Sequence, residues 1–216
     1  KLETMMNYLI YDCEIIKMIP PKGGVLDPNY QYCDGWHDHA NMGISCIGWA
    51  HSNGSEGVLV CEGEWQEIWG SIVSSNTQFL IGFNSKAFDD KLVVASRFNE
   101  FMISNGNWWD DQEFKTDIDL LELIRLAAYG SNSWKDCPKG HSYALGKIGA
   151  ANGFPKTGSG ELAPKLWQDG RQKEVIEYCL NDVRITRELF ELGLRGELVD
   201  PNTGEKLALS GLEEDR

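Results

Sequence analysis

Apolar and polar positions in the first half of the chain predict strands followed by helices. Residues 7–17, NYLIYDCEIIK, are apolar on both strand faces, which is typical of a central strand. Short apolar runs bounded by turn residues predict three more strands, in MGISCIGWAHS, GVLVCEG and TQFLIGFN. Apolar residues at helical spacing follow in EWQEIWGSIVSSN and in SKAFDDKLVVASRFNEFMIS.

The second half of the chain is dominated by helical spacing. FKTDIDLLELIRLAAYG predicts a short strand that runs into a helix, and HSYALGKIGAANG predicts a short helix. Residues 174–190 predict a long amphipathic helix. Three strands followed by alternating helices and strands predict an α/β fold with a central mixed β-sheet flanked by helices.

Length and composition are those of one globular domain. We expect 216 residues to form a domain over 5–195, with a polar loop insertion at 18–41 and a C-terminal hairpin and tail at 196–216. No apolar run approaches the roughly 20 residues that a membrane span needs. The six cysteines form no CxxC pair, which predicts reduced thiols in a cytoplasmic protein.

One residue of the long helix conflicts with its amphipathic pattern. At about 100° per residue, Tyr178, Cys179 and Val183 fall on a broad apolar arc. Asp182 lies inside that arc, one turn after Tyr178. A carboxylate directed at the core requires a partner, because burying an unpaired charge is costly.

Two other segments show the same conflict. Asp12 and Glu14 are two residues apart in the first strand, so both point to one face, between apolar neighbours. Asp89 and Asp90 open a helix directly after a buried strand. Each pair also has an ordinary interpretation, as a frayed strand end in the first case and as helix-dipole partners in the second.

Inward acids on separate elements are best explained by shared divalent cations, because carboxylates packed together raise one another's pKa. Ligands that include neither His nor Cys favour Mg²⁺ or Mn²⁺ over Zn²⁺. Two such ions about 4 Å apart stabilise the attacking and leaving oxygens of a phosphoryl transfer. The net charge of −13 argues against a simple phosphate-neutralising binder, although residues 134–173 hold seven Lys or Arg against three Asp or Glu.

The acids belong to three ordered motifs: Asp12-x-Glu14, Asn84-x-x-x-Phe88-Asp89 and Tyr178-x-x-x-Asp182. In order and spacing these resemble the motifs of the DEDD 3′–5′ exonucleases, in the Tyr-containing DEDDy branch of the RNase H-like superfamily. That branch includes proofreading domains of DNA polymerases and phage-type stand-alone nucleases. The resemblance covers most of the chain, without the 18–41 loop or the tail after about residue 195, and implies an RNase H-like fold.

The resemblance also implies roles for individual residues. Four ligands are implied for two Mg²⁺ or Mn²⁺ ions, namely Asp12, Glu14, Asp89 and Asp182. Among them Asp12 would bridge the two ions, and the motif spacing selects Asp89 over Asp90. Tyr178 would orient the attacking water and help to deprotonate it, although a phenol with a pKa of about 10 is a poor base at neutral pH. Three substrate-binding residues are implied as well: Cys13, Asn84 and Phe88.

The predicted function is a 3′–5′ exonuclease that releases nucleoside monophosphates from single-stranded DNA or frayed ends. An exoribonuclease acting on RNA is the close alternative. The competing class is a non-catalytic RNase H-like module that binds nucleic acid or protein, and the intact set of acids and tyrosine argues against it. Expected partners are a nucleic-acid 3′ end and a polymerase or other replication or repair protein, with no membrane. A phage-encoded protein would act in the host cytoplasm.

Other residues have ordinary interpretations beside functional ones. The histidines of HDH at 37–39 are metal-site candidates in a polar loop, and Asp117 and Asp119 are expected to cap or solvate a strand–helix junction. The sister branch of the family places a histidine in its site, for which His141 is a candidate, but His141 lies far upstream of Asp182, Tyr178 already fills that role, and a helix-start residue is the favoured interpretation. Candidate nucleic-acid contacts are Trp108-Trp109 and the basic residues Lys135, Lys139, Lys147, Lys156, Lys165, Arg171 and Lys173.

Overall fold

The structure is a computed structural model that describes residues 6–74, 77–97 and 116–210. Five strands form the main sheet: β1 (Tyr8–Ile15), β2 (Ile44–His51), β3 (Glu56–Val60), β4 (Phe79–Gly82) and β5 (Thr116–Asp119). Their order across the sheet is β3-β2-β1-β4-β5. β1 pairs antiparallel with β2, and β2 with β3, whereas β1 with β4 and β4 with β5 are parallel pairs.

Helices and a small hairpin surround this sheet in the described part of the chain. The helices are α1 (His39–Met42), α2 (Trp65–Ser74), α3 (Asp89–Arg97), α4 (Leu120–Tyr129), α5 (Leu145–Ala151), α6 (Ala163–Gln168) and α7 (Gln172–Leu194). The hairpin pairs β6 (Leu198–Val199) with β7 (Lys206–Leu207). Within the described ranges, no helix combines the length and apolar character that a membrane span requires.

β1 lies at the centre of the sheet and is packed on both faces. Ile10 belongs to a core cluster that includes Val183 and Phe190 of α7. Tyr11 belongs to a second cluster, on the other face, with Trp69 of α2. This two-sided burial explains why apolar residues occupy both faces of the strand. The prediction of an α/β fold with a central mixed sheet flanked by helices is confirmed.

A glycine allows α7 to approach the sheet closely. Gly48 of β2 lies opposite Asp12 of β1 in the strand register. A Cβ at Gly48 would come within 2.9 Å of the Val183 side chain and 3.0 Å of Cys179 Sγ, so a larger residue would push the helix away. The Gly48 N–H also donates a hydrogen bond of 3.2 Å to Cys179 Sγ. Side chains on this part of α7 therefore reach the strand that carries Asp12.

Two predicted helices differ from those observed. The helix predicted from residue 85 begins as a 3-10 turn, Ser85–Ala87, and Phe88 leaves helical geometry at φ −138° before α3 starts. Its predicted end, and Trp108-Trp109, lie outside the described residues. The helix predicted in HSYALGKIGAANG starts only at Leu145. The 18–41 segment is mainly irregular, as expected, and α1 begins at its end.

Candidate active site

Two carboxylates of β1 face α7. Asp12 and Glu14 alternate with Tyr11 and Cys13, which turn to the opposite face of the sheet. Glu14 is only 6% exposed. Carboxylate oxygens of Asp12 and Glu14 and the Cys179 sulfur all lie within 4.8 Å of one another, the one such three-ligand group among the described residues. The alternation of side chains along this largely buried strand thus turns both acids toward the helix.

A third carboxylate comes from α7. Tyr178 and Asp182 are four residues apart and therefore share one face of the helix. They are 8% and 3% exposed. Asp182 Oδ2 lies 2.5 Å from the Lys156 ammonium nitrogen, whereas Oδ1 is buried with no hydrogen-bond partner among the described residues. One oxygen of this carboxylate is therefore paired with Lys156, and the other is available to a ligand.

The loop between α5 and α6 covers Tyr178. The Lys156 nitrogen lies 5.0 Å from the centre of the tyrosine ring. A Cβ at Gly158 would lie 2.8 Å from Tyr178 Cδ2, and a Cβ at Gly160 would lie 3.5 Å from the hydroxyl oxygen. Glycine at position 158 is therefore what allows the backbone to pack against the ring. Lys156 and the glycines together hold the tyrosine beside Asp182.

Asp89 approaches the acids from the start of α3. Its Oδ1 accepts a hydrogen bond of 3.0 Å from the Cys13 backbone N–H, and the residue is 5% exposed. Asp90 instead accepts a hydrogen bond from the Tyr11 hydroxyl, whose ring packs on the opposite face of the sheet. The structure thus brings Asp89, rather than Asp90, beside the segment that carries Asp12.

Burial and mutual repulsion raise the pKa values of this group, which we call the acid cluster (Asp12, Glu14, Asp89 and Asp182). Burial raises the pKa of Asp12 and of Glu14 well above the usual range, and neighbouring carboxylates raise both further. Burial raises the pKa of Asp89 to about 7, against the lowering effect of the Cys13 N–H. Burial also raises the pKa of Asp182, which the Lys156 ammonium opposes. The oxygen-rich donors and the unpartnered Asp182 Oδ1 fit divalent cations.

Two uncharged neighbours of the acid cluster hold their protons. Burial, followed by the carboxylates of Asp182 and Glu14, raises the pKa of Tyr178 far above neutral. A hydrogen bond with Cys46, together with burial, raises the pKa of the Cys179 thiol well above its usual value. That thiol donates a hydrogen bond of 3.5 Å to the Asp12 backbone oxygen. At neutral pH both groups act as donors rather than anions.

Asn84 and Phe88 flank Asp89 at the end of β4. Asn84 has a left-handed backbone, φ 63° and ψ 24°, which residues other than glycine seldom adopt. Its side chain is exposed. Phe88 packs against the rings of Trp36 and His39, with centroid distances of 5.7 and 5.9 Å. The two predicted pocket residues therefore lie next to the acid cluster, and one of them contacts the 18–41 segment.

Other candidate residues lie outside the acid cluster. Asp119 accepts backbone hydrogen bonds of 2.9 Å from Asn84 and 3.0 Å from Leu121, as expected of a cap at the strand–helix junction. His39 packs on Phe88 and is not part of the three-ligand group found in the described residues. His141 Nδ1 is buried without a hydrogen-bond partner in that part of the chain.

Several basic residues between 134 and 173 are already bonded to other side chains. Lys147 bonds to Asn202, Lys165 to Asp169 and Arg171 to Glu174. Lys156 alone among the seven is shown paired with a member of the acid cluster, within the described residues. Its role was missed because it lies in an aperiodic loop; the available signal was the neighbouring glycine run TGSG, which permits close backbone packing.

No model of a known protein family matches the chain, and no curated protein matches it either. Among solved structures, the chain is similar to the family B DNA polymerase from the hyperthermophilic archaeon Pyrobaculum calidifontis, with a TM-score of 0.58 and 16% sequence identity. The match covers 92% of this chain and 26% of the polymerase chain.

Two structures of exonuclease I have lower TM-scores. The E. coli enzyme in complex with a 5cy-dA13 oligonucleotide gives 0.45 at 15% identity, covering 88% of this chain and 41% of that one. A product-bound exonuclease I gives 0.43 at 15% identity, covering 86% and 46%. The chain thus spans about a quarter of the polymerase and less than half of exonuclease I. The likeness to the polymerase concerns the fold alone, and it agrees with the mixed five-stranded sheet flanked by helices that the sequence predicted.

Proposed function

We propose that this chain is a two-metal-ion 3′–5′ exonuclease of the DEDDy type that hydrolyses single-stranded DNA and releases nucleoside monophosphates. The observation that carries the proposal is the meeting of buried carboxylates from β1, α3 and α7, with Asp182 Oδ1 unpartnered among the described residues. An unpaired buried polar group costs about 1–3 kcal/mol, and a cation bound at this oxygen would offset that cost.

The acid cluster would hold two Mg²⁺ or Mn²⁺ ions. Its four carboxylates supply the oxygen ligands that these ions prefer. The Cys179 thiol lies close by, but its raised pKa keeps it protonated, so we assign it no ligand role. Bound here, such ions supply the positive charge that stabilises the attacking and leaving oxygens of a phosphoryl transfer.

The chain's own polar groups would position the reactants. Tyr178 holds its proton at neutral pH, so its hydroxyl can orient the attacking water by hydrogen bonding but cannot act as the main base. The Lys156 ammonium offsets the charge of Asp182 and lies against the tyrosine ring, which keeps the two side chains together. Asn84 and Phe88, beside Asp89, would shape the pocket for the terminal nucleotide.

The direct test incubates the protein with 5′-labelled DNA and RNA oligomers in Mg²⁺, Mn²⁺ or EDTA. We expect a ladder of products that shorten from the 3′ end, faster on DNA than on RNA, with no products in EDTA. A 3′-phosphate on the strand should slow the reaction strongly, because the terminal pocket would no longer fit.

Three outcomes would contradict separate parts of the proposal. Hydrolysis that persists in chelator would refute the role of metal ions. Cutting of a covalently closed circle at the rate of a linear strand would indicate an endonuclease and refute the terminal pocket. Faster shortening of RNA than of DNA would replace the proposed substrate by the alternative one.

A further inference from the structure

The insertion, residues 18–41, is fixed at one side to α6. Gln168 Nε2 donates hydrogen bonds to the backbone oxygens of Ile16 and Gln31, at 2.9 and 3.1 Å, and Gln168 Oε1 accepts one of 2.7 Å from the Gln31 N–H. The Tyr30 hydroxyl donates a bond of 2.9 Å to Asp169 at the end of the same helix. The first part of the insertion is therefore bound to the helix that precedes α7, on the Tyr178 and Asp182 side.

The second part of the insertion is fixed to the Asp89 side. The Trp36 and His39 rings lie against Phe88, which directly precedes Asp89. Asp38 holds this part in shape, because its carboxylate accepts hydrogen bonds of 2.8 Å from the Asp34 N–H and 2.7 Å from Asn41 Nδ2. The insertion leaves the sheet directly after the strand end that carries Glu14. It thus spans from one side of the acid cluster to the other.

Trp36 is held in place yet remains open to solvent. Its side chain is 63% exposed although one side of the ring contacts Phe88. Beside it, an open groove of about 420 Å³ between α1 and α3 is lined by His37, His39, Asp90, Lys91 and apolar residues that include Val94. An exposed aromatic ring next to a cationic side chain, here Lys91, is the combination that proteins use for base stacking and phosphate contact with single-stranded nucleic acids.

We propose that Trp36 is a base-stacking residue for the substrate strand, and that the insertion determines how the strand enters the site. The inference rests on the proposed nuclease function. Phe88 and Asp89 are adjacent in the chain and Trp36 lies against Phe88, so the indole meets a base upstream of the terminal nucleotide. The groove beside Trp36 then takes the following stretch of backbone, with Lys91 facing its phosphates.

The test is a scan of strand binding with single abasic nucleotides. Thymidine oligomers carry one abasic nucleotide at successive positions from the 3′ end, and affinity is measured by fluorescence anisotropy with Mg²⁺. All proteins carry Asp12→Asn so that the strand stays intact. For the parent protein, we expect an abasic nucleotide upstream of the terminal position to weaken binding about 5- to 100-fold. Trp36→Ala should weaken binding of the intact strand by a similar factor. In this variant, an abasic nucleotide at the same upstream position should cause no further loss of affinity.

Two variants separate stacking from a general structural effect. Trp36→Phe keeps an aromatic ring, so it should restore most of the affinity and the position-dependent loss. Trp134→Ala removes another exposed tryptophan, 68% exposed and distant in the chain, and should keep the parent profile. An unchanged abasic profile in Trp36→Ala, or no binding of DNA by the parent protein, overturns the inference.

The inference and the proposed function fail in different ways. Hydrolysis of the unmodified oligomer by the protein with Asp12 intact reports on the function alone. A protein that shortens DNA but shows the same abasic profile with and without Trp36 would retain the function and refute the stacking role. A protein that binds DNA with a Trp36-dependent profile and hydrolyses nothing in any metal would refute the function alone.

Discussion

Two buried aspartates in different regions of this molecule differ in the groups that satisfy their carboxylates. At the junction of β5 and α4, Asp119 is 4% exposed and accepts hydrogen bonds from the Asn84 and Leu121 backbone N–H groups. On α7, Asp182 is 3% exposed, with one oxygen on Lys156 and the other without a partner in the described part of the chain. Burial alone therefore does not show whether a carboxylate is satisfied by the backbone.

The difference lies in what the backbone offers each side chain. Asp119 precedes a helix, where the first N–H groups have no partner within the helix and need an acceptor. Asp182 lies inside α7, where the backbone N–H groups are already used, so it depends on side chains such as Lys156 and Tyr178 or on bound cations. Burial raises the pKa of both, and backbone N–H groups lower it again for Asp119, whereas Lys156 does so for Asp182. A buried acid that backbone N–H groups satisfy supports the fold, whereas a buried acid with an unpartnered oxygen is a candidate ligand site.

The largest expected effect separates these two residues directly. We expect Asp182→Ala to lower the single-turnover rate about 1,000-fold or more, in line with the loss of groups that act as a unit. In EDTA its melting temperature should equal or exceed that of the wild type, because relief of the repulsion of Asp182 with Asp12 and Glu14 should outweigh the loss of its partly exposed pair with Lys156. Asp119→Ala should keep the rate but lose about 1 kcal/mol of stability through its lost cap. Similar activity losses in both variants, or a less stable Asp182→Ala, would break the comparison.

The next effect compares two buried tyrosine hydroxyl groups, one beside the acid cluster and one away from it. Tyr178→Phe leaves the ring packed under Gly158 and removes one donor, so we expect a loss of about 10- to 1,000-fold in turnover with metal affinity unchanged. Tyr143→Phe is the matched control, because its buried hydroxyl donates a bond of 3.0 Å to Asp200 in the C-terminal hairpin region. Its rate should stay close to wild type. If Tyr178→Phe turned over at the wild-type rate in saturating metal, the tyrosine would be a core residue and His141 the next candidate.

Periodicity predicted most of the fold, because burial of whole faces leaves a regular pattern. The two-sided apolar run of β1 and the apolar arc of α7 are examples. The start of α3 was not predictable in the same way, because the chain first passes through a left-handed Asn84 and a 3-10 turn. No periodic pattern marks that interruption, and the apolar spacing continues across it.

The candidate site was predictable only where its residues lie on regular elements. Asp12, Glu14 and Asp182 stand out because a charge interrupts an apolar face. Lys156 and Trp36 lie in loops, where neighbouring residues say nothing about orientation, so their contacts depend on the tertiary structure. Gly48 carries no side chain to interpret, although α7 could not approach Asp12 without it.

A smaller effect sharpens the contrast between an acid that the backbone satisfies and one that needs a cation. Lys156→Gln removes the ammonium from Asp182, which should destabilise the metal-free protein by about 1–3 kcal/mol, less than for a fully buried pair. Mg²⁺ should restore more stability to this variant than to the wild type, because it replaces the missing charge. Lys165→Gln breaks an exposed pair with Asp169 and should change little. Thermal unfolding in EDTA and in Mg²⁺ measures both, and an equal Mg²⁺ gain in all three proteins would contradict the pairing.

The smallest expected effect is a pH dependence of stability that arises from Asp117 in β5. Burial, followed by the charge of Asp90, raises the pKa of Asp117 to about 7. The folded protein therefore binds this proton more tightly than the unfolded chain between about pH 4 and 7, and the carboxylate costs stability as the pH rises through that window. Asp117→Asn should stabilise the metal-free protein by about 1 kcal/mol near pH 8 and not at all near pH 4, a modest value because the residue is partly exposed to water. Glu177→Gln, which removes an exposed charge of α7, serves as the control in thermal unfolding across this range. No gain at either pH would show that Asp117 is hydrated and that the unfavourable burial of acids is confined to the acid cluster, and an equal gain at both would show an effect unrelated to its titration.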